Sequence, residues 1–115
     1  MNLSTIIVDN ILVINIEYDH LDANNINQFK DEIKSLLGEP VATVFDLSPV
    51  QFIDSSGLGA FLSCMRKIKG LGGALALCAL QPTVCSIIEQ VRMNRVIDVY
   101  ATREEAITAL QAKGL

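Results

Sequence analysis

Residues 52–59 read Phe-Ile-Asp-Ser-Ser-Gly-Leu-Gly, and they join a short apolar run to a helical pattern. Asp54, Ser55 and Ser56 therefore fall where a strand ends and a helix begins. The free backbone N–H groups at the start of a helix favour a negative group such as phosphate. Because the rest of the chain has the pattern of an ordinary α/β scaffold, we expect the function to reside at this junction.

Five short runs of apolar and β-branched residues predict the strands. They are Ser4–Val8, Ile11–Ile16, Val41–Leu47, Ala74–Cys78 and Val96–Tyr100. Only Asp9 and Asn10 separate the first two runs, a spacing typical of a hairpin with a two-residue turn. The run from 41 to 47 is apolar at most positions, which indicates a strand buried on both faces.

Apolar residues at spacings of three and four predict the core faces of four helices. In the first two helices these residues are Ile26, Phe29, Ile33 and Leu36, then Leu58, Leu62, Met65 and Ile68. In the last two they are Val84, Ile87, Ile88 and Val91, then Ala106, Ala109 and Leu110.

Capping and helix-ending residues predict where these helices begin and end. Asp22 is the predicted N-cap of the first, which Gly38 and Pro40 end. The second runs from about Ser56 to Ile68, Pro82 suits the first turn of the third, and Thr102 with Glu105 forms a capping box for the fourth. The resulting order, β-β-α-β-α-β-α-β-α, predicts an α/β fold with a mostly parallel sheet of four to five strands.

The composition excludes several classes of protein. A chain of 115 residues, half of them apolar and 19% charged, is expected to form one packed domain over residues 1–115. No apolar run approaches the roughly 20 residues that span a bilayer, and the start lacks a signal-peptide pattern. We therefore expect a cytoplasmic protein that inserts in no membrane. The net charge of −4 weighs against nucleic acid as a partner.

No cofactor or metal site is predicted. Cys64, Cys78 and Cys85 are odd in number and lack CxxC spacing, which favours reduced, buried thiols over disulfides or metal ligands. The glycines form neither a GxGxxG motif nor a phosphate-binding loop with lysine.

Two interpretations of the junction are open at this level. In the first, one serine is only the N-cap of the helix, a common position for serine. In the second, Ser55 or Ser56 accepts a phosphate, which adds a charge of about −1.5 to −2. A partner surface that had packed on a neutral serine would then meet a bulky dianion.

A second polar stretch, Glu17–Asp22, precedes the first helix. It lies at the same sheet end as Asp54 if the strand before it runs parallel to Val41–Leu47. Its carboxylates suit a cation or an arginine-bearing partner, and the alternative is a solvated loop.

The only histidine, His20, raises the question of a hydrolase. A Ser-His-Asp set could be drawn from Ser55, His20 and either Asp19 or Asp46. The serine lacks a G-x-S-x-G elbow, and Asp19 is merely the sequence neighbour of His20. We therefore expect no catalytic residues.

Together these motifs resemble the STAS domain family of anti-sigma factor antagonists. The matching segments are Asp46-Leu47 followed after four residues by 52–59, the loop Glu17–His20, Gly72-Gly73 before the strand to Cys78, and the closing helix Thr102–Leu110. Two departures stand out. Tyr18 replaces a usual Leu, and Arg92, within Val91-Arg92-Met93, stands where a Gly commonly turns the chain.

The resemblance implies a binding protein that is not an enzyme and needs no cofactor. Bacterial stand-alone members bind an anti-sigma factor that is also a serine kinase of the histidine-kinase-like ATPase type. The kinase phosphorylates the serine after the aspartate, which is Ser55 here; the phosphorylated form releases the kinase, and a PP2C-type phosphatase reverses the modification. The implied docking surface comprises Asp19, His20, Asp54, Ser55, Ser56, Gly57 and Leu58.

Two other functions remain open. One is a small STAS subunit of a lipid-transport ABC complex, which the mean hydropathy of +0.39 would suit. Such subunits need no phosphorylatable serine in an Asp-Ser-Ser-Gly context. The other is a non-switching scaffold module of a large sensory assembly. Kinases of this type also control biofilm, secretion and second-messenger pathways, so the resemblance does not identify the pathway.

Overall fold

The computed structural model describes residues 2–38 and 42–114. Within them the strands are β1 Leu3–Val8, β2 Ile11–Ile16, β3 His20–Leu21, β4 Ala42–Asp46, β5 Phe52–Ile53, β6 Ala74–Cys78 and β7 Asp98–Tyr100. The helices are α1 Ile26–Lys34, α2 Ser55–Gly70, α3 Pro82–Gln90 and α4 Arg103–Ala112, with a 3-10 turn at Met93–Arg95. The predictions for Pro40 and Val41 fall outside the described residues.

The main sheet has five strands in the order β1-β2-β4-β6-β7. β1 and β2 are antiparallel, and the pairs β2–β4, β4–β6 and β6–β7 are parallel. Asp9 and Asn10 have φ values of 51° and 65°, as the favoured two-residue hairpin turn requires. The predicted α/β class, the hairpin and the mainly parallel sheet are therefore confirmed.

Helices cover both faces of this sheet. The larger core lies under α1, α2 and α3, where the rings of Phe29, Phe45 and Phe61 meet edge to face at centroid distances of 5.7 to 6.5 Å. The smaller core lies under α4, whose Ala106 and Leu110 pack on the other side of the sheet. Apolar positions on both sides of β4 explain why that strand lacks a polar face.

The buried face of α2 differs from the predicted one. Its buried residues include Phe61, Cys64 and Ile68, whereas Leu62 and Met65 are only partly buried. In α3, Val84 and Ile88 are buried as expected, but Val91 is 53% exposed. Of the residues predicted to lie in the core, Val91 is therefore exposed, and Leu62 and Met65 lie at its edge, partly buried.

Several boundaries also differ. The last strand starts at Asp98, because the 3-10 turn uses the amides of Val96 and Ile97 to bond Met93 C=O. α1 begins after Asn25, and Asp22 instead starts the preceding turn, where its Oδ1 accepts the Asn24 N–H at 2.9 Å. The predicted N-cap role of Asp22 is thus wrong.

Two other predictions about helix starts are confirmed. Thr102 Oγ1 caps α4 by accepting the Glu105 N–H at 3.1 Å, and Pro82 occupies the first turn of α3. Arg92 adopts the left-handed conformation, with φ of 60° and ψ of 28°. The chain therefore turns here as a glycine would allow, although a residue with a Cβ carries a steric cost in this region.

Candidate functional site

The site is built around a two-stranded parallel sheet. β3 and β5 pair at His20–Phe52 and Leu21–Ile53. This pairing brings the polar loop before α1 beside the start of α2. The predicted neighbourhood of the two segments is confirmed, since β2 and β4 also run parallel.

Asp54 is the N-cap of α2. Its Oδ1 accepts the N–H groups of Ser56 at 2.8 Å and Gly57 at 3.3 Å. Its second oxygen, Oδ2, accepts the N–H of Ala23 at 3.2 Å. One carboxylate therefore satisfies two amides at the helix start and ties the α1 loop to them.

Neither serine acts as the cap. Ser55 is the first residue of α2 and is exposed, and Ser56 follows it and is half-buried. The helix therefore starts one residue earlier than predicted. Since Asp54 already engages the amides of Ser56 and Gly57, a phosphate on Ser55 would meet a neighbouring carboxylate and two N–H groups that are already bonded.

Gly57 lets α2 approach the small sheet. A Cβ at this position would lie 2.5 Å from Ile53 Cγ1 and 3.0 Å from Leu21 O. Gly57 is buried, and Leu58 is 8% exposed. Of the predicted docking residues, Gly57 and Leu58 are therefore buried, whereas Ser55 is exposed to solvent.

His20 faces carboxylates through both ring nitrogens. Nδ1 lies 2.7 Å from Asp19 Oδ1, and Nε2 lies 3.7 Å from Asp22 Oδ2. A hydrolytic triad needs one nitrogen directed at the nucleophile. The Asp19 side chain is 76% exposed and that of His20 is 47% exposed.

Asp46, the other aspartate considered for a triad, is bound elsewhere. Its Oδ2 accepts Arg103 Nη2 at 2.9 Å and Nε at 3.2 Å, and its Oδ1 accepts the Ser48 N–H at 2.9 Å. Burial alone would raise the pKa of this carboxyl, but the hydrogen bonds from Ser48 and Arg103 lower it overall. The pair anchors α4 to the sheet.

Tyr18, a departure from the family pattern, is a structural residue. Its ring is 4% exposed and meets Phe29 edge to face, while its hydroxyl donates to Glu32 Oε1 at 2.6 Å. Burial and the Glu32 carboxylate both raise the pKa of this hydroxyl. The larger side chain thereby fixes the polar loop to α1.

The cysteines have no activated thiol. Burial raises the pKa of Cys64 to about 11 and that of Cys78 to about 12, the charge of Asp46 adding to the effect on Cys78. Cys85 is half-buried rather than buried, and burial and Glu89 raise the pKa of its thiol. All three are free and protonated at neutral pH.

An apolar groove of about 500 Å³ starts at Ser55. Its lining residues are Ser55, Leu58, Gly59, Leu62, Arg66, Val91, Arg92, Met93 and Val96. The sequence interpretation missed this groove, because Leu62 and Val91 match a helical core pattern. The sequence does place positions 55, 59, 62 and 66, a serine, a glycine, a leucine and an arginine, on one face of α2.

Two further structural findings concern other classes of function. Among residues 2–38 and 42–114, no helix is long and apolar enough to cross a membrane. In the same part of the chain, no three His, Cys, Asp or Glu side chains are grouped so that they could hold a metal ion.

Comparisons with known proteins agree with this architecture. The family profile described as STAS domain matches residues 2–106. An anti-sigma F factor antagonist of Paenibacillus polymyxa is 30% identical over 96 residues, which cover 83% of this chain and 80% of the relative.

Solved structures show the same fold. An anti-sigma factor antagonist from Mycobacterium paratuberculosis has a TM-score of 0.84 at 23% identity, over 95% of this chain and 92% of that one. SpoIIAA, an anti-sigma factor antagonist solved in its unphosphorylated form, has a TM-score of 0.74 at 25% identity, over 98% and 97% of the two chains. The phosphorylated form of the Bacillus protein SpoIIAA matches with a TM-score of 0.66 at 24% identity, over 93% and 97%.

Proposed function

The chain belongs to the STAS domain family, and on that premise we propose that it is a protein-binding regulator switched by phosphorylation of Ser55. In its unphosphorylated form it binds a serine kinase of the histidine-kinase-like ATPase type that is also an anti-sigma factor. Phosphorylation releases the kinase, and a PP2C-type phosphatase restores the binding form. The chain itself has no catalytic role and acts in the cytoplasm.

The exposed position of Ser55 beside Asp54 carries this proposal. Ser55 Oγ is the group that accepts the γ-phosphoryl of ATP: the O–P bond to Ser55 forms, the bond to the β-phosphate oxygen breaks, and ADP leaves with the displaced charge. The serine proton passes to a base of the kinase. Hydrolysis by the phosphatase returns the hydroxyl and inorganic phosphate.

Release follows from charge and size. A phosphoserine brings about −1.5 to −2 charges to the first turn of α2, where the Asp54 carboxylate is already present. The Asp54 cap holds Ser56 and Gly57 amides, so the phosphate gains little from the helix end. A kinase surface packed against the neutral serine would be pushed off by a dianion without any backbone movement.

The docking surface in this proposal combines two segments. Asp19 and His20 supply exposed polar groups from the loop, and Ser55 and Ser56 supply the start of α2. The Asp54–Ala23 hydrogen bond connects the loop to the start of α2. Gly57 and Leu58 contribute indirectly, because their packing determines how closely α2 lies against the small sheet.

Phosphorylation by a purified kinase tests the assignment. The chain and its Ser55→Ala and Ser56→Ala variants are each incubated with ATP and a purified histidine-kinase-like ATPase from the same organism, then analysed by mass spectrometry. We expect one added phosphate on the natural chain and on Ser56→Ala, and none on Ser55→Ala. Phosphate on Ser56 alone would overturn the site, and phosphate on neither serine would overturn the switch.

A further inference from the structure

We propose that the groove beside Ser55 receives an acidic amphipathic helix of the partner, with Arg66 and Arg92 binding its carboxylates. This inference rests on the proposed function, because the partner is the kinase that acts on Ser55. It adds the chemistry of the bound segment and two arginines outside the expected docking surface.

The apolar part of the groove lacks a partner within the described residues. Val91 and Val96 are 53% and 50% exposed, two of the six large apolar side chains that the described chain leaves in solvent. Leu62, a residue with a core pattern, lies half-buried beside them. Apolar side chains gathered in one groove are typical of a protein contact surface.

The charge of the groove is opposite to that of the chain. The chain has 13 acidic and 9 basic residues, yet the groove lining contains two arginines and no carboxylate. Arg66 and Arg92 are exposed, and neither forms an ion pair with another described residue. Unpaired guanidinium groups at the edge of an apolar surface favour a partner with carboxylates near its apolar residues.

The length of the groove suits a helix. Its wall on α2 runs from Ser55 to Arg66, roughly 16 Å at 1.5 Å per residue. The opposite wall is the segment from Val91 to Val96. A helix of about three turns spans that length and presents apolar residues at spacings of three and four to such a groove.

Gly59 leaves open space on the α2 wall of the groove. A Cβ built at this position meets nothing within 4 Å. The same is true of Gly70, which lies at the end of α2 and does not line the groove. A large side chain at position 59 would therefore fill the space in which the partner helix is proposed to bind. The same substitution at position 70, in the same helix but outside the groove, is the control.

Binding to the purified kinase with ADP, measured by calorimetry, tests this inference. We expect Arg66→Gln and Arg92→Gln to weaken binding about threefold each and about tenfold together, with Lys67→Gln and Lys69→Gln, which do not line the groove, within twofold of the natural chain. The double variant should also lose part of the salt dependence of binding. Gly59→Leu should weaken binding more than tenfold and Gly70→Leu less than twofold, with melting temperatures reported for all variants.

The outcomes separate this inference from its premise. If the kinase neither binds nor phosphorylates the natural chain, both the proposed function and this inference are overturned. If the kinase phosphorylates Ser55 but binds the arginine double variant and Gly59→Leu with natural affinity, the inference alone is overturned. Weaker binding with an unchanged salt dependence would overturn the role of the carboxylates.

Discussion

Asp54 Oδ2 accepts the backbone N–H of Ala23 at 3.2 Å, while Oδ1 of the same carboxylate caps α2. The residue before the proposed phosphoacceptor thus joins two segments separated by 31 positions. We expect Asp54→Ala to lose about 1–2 kcal/mol of unfolding free energy, as other N-cap deletions do. Urea denaturation measures this loss.

Thr102→Ala is the matched control for Asp54→Ala, since it removes the N-cap of α4 far from the site. Both variants should be less stable, but only Asp54→Ala should impair kinase binding. Equal binding by the two variants would show that the Asp54–Ala23 bond does not organise the docking surface.

Ser55→Asp should weaken kinase binding at least tenfold while leaving the unfolding free energy within about 0.5 kcal/mol of the natural value. The reason is that Ser55 is exposed and is not the helix cap, so its replacement affects a contact surface only. Ser63→Asp places the same charge on another exposed position of α2 and should bind normally. Global unfolding of Ser55→Asp, seen by circular dichroism, would contradict this view.

Gly57→Ala and Gly59→Ala should have opposite effects on stability. A Cβ at position 57 would lie 2.5 Å from Ile53 Cγ1, and relieving that overlap costs about 1–3 kcal/mol. At position 59 the space is open, so alanine gains up to about 1 kcal/mol from its higher helix propensity. Thermal and urea unfolding of the two variants give the comparison, and equal effects would contradict the close approach of α2 to β5.

The Asp46–Arg103 pair should make stability depend on pH in the acid range. Because the folded state lowers the pKa of Asp46, its contribution is complete above the unfolded pKa of about 3.9 and is lost as the pH falls through the lower, folded value. Arg103→Met should cost about 2 kcal/mol at pH 7 and less at pH 3, since a protonated Asp46 needs no cation. Urea unfolding at both pH values measures the difference.

Lys113→Met is the control for that experiment. It removes an exposed pair with Asp98 and should change stability by less than about 0.5 kcal/mol. A similar loss for both variants would mean that burial of the Asp46 carboxylate contributes nothing.

Thr43→Val should raise the unfolding free energy by about 1 kcal/mol. The Thr43 hydroxyl is fully buried in β4 and has no hydrogen-bond partner among the described residues, so valine removes an unsatisfied group at nearly constant volume. Thr5→Val on the exposed face of β1 should be neutral. A loss of stability for Thr43→Val would indicate that the hydroxyl does bond a partner.

Periodicity predicted the elements whose burial repeats along the chain. β1, β2 and β6 begin and end within one residue of the predicted bounds, and the hairpin at Asp9-Asn10 was recognisable because that turn selects residues tolerant of positive φ. The start of α2 was predicted one residue late. Asp54 and both serines are all good caps in isolation, and only the geometry shows that the carboxylate takes this position.

No sequence pattern predicted the contacts between segments that are distant in the chain. β3 and β5 are two residues each, too short for any alternation. The Asp46–Arg103 pair joins positions 57 apart. Leu62 and Val91 match the spacing of core residues, yet both line a groove between α2 and the segment that follows α3. Periodicity within one helix carries no information on what covers that helix.

The parallel pairing of β3 with β5 also has a consequence for when the docking surface forms during folding. The two halves of the surface come from segments on opposite sides of the α1 crossover, and a parallel pair cannot close until that whole crossover is in place. No nascent or partly unfolded chain that lacks the crossover can display Asp19 and Ser55 side by side. A kinase that needs both would therefore act only on molecules in which the crossover through α1 and β4 has formed.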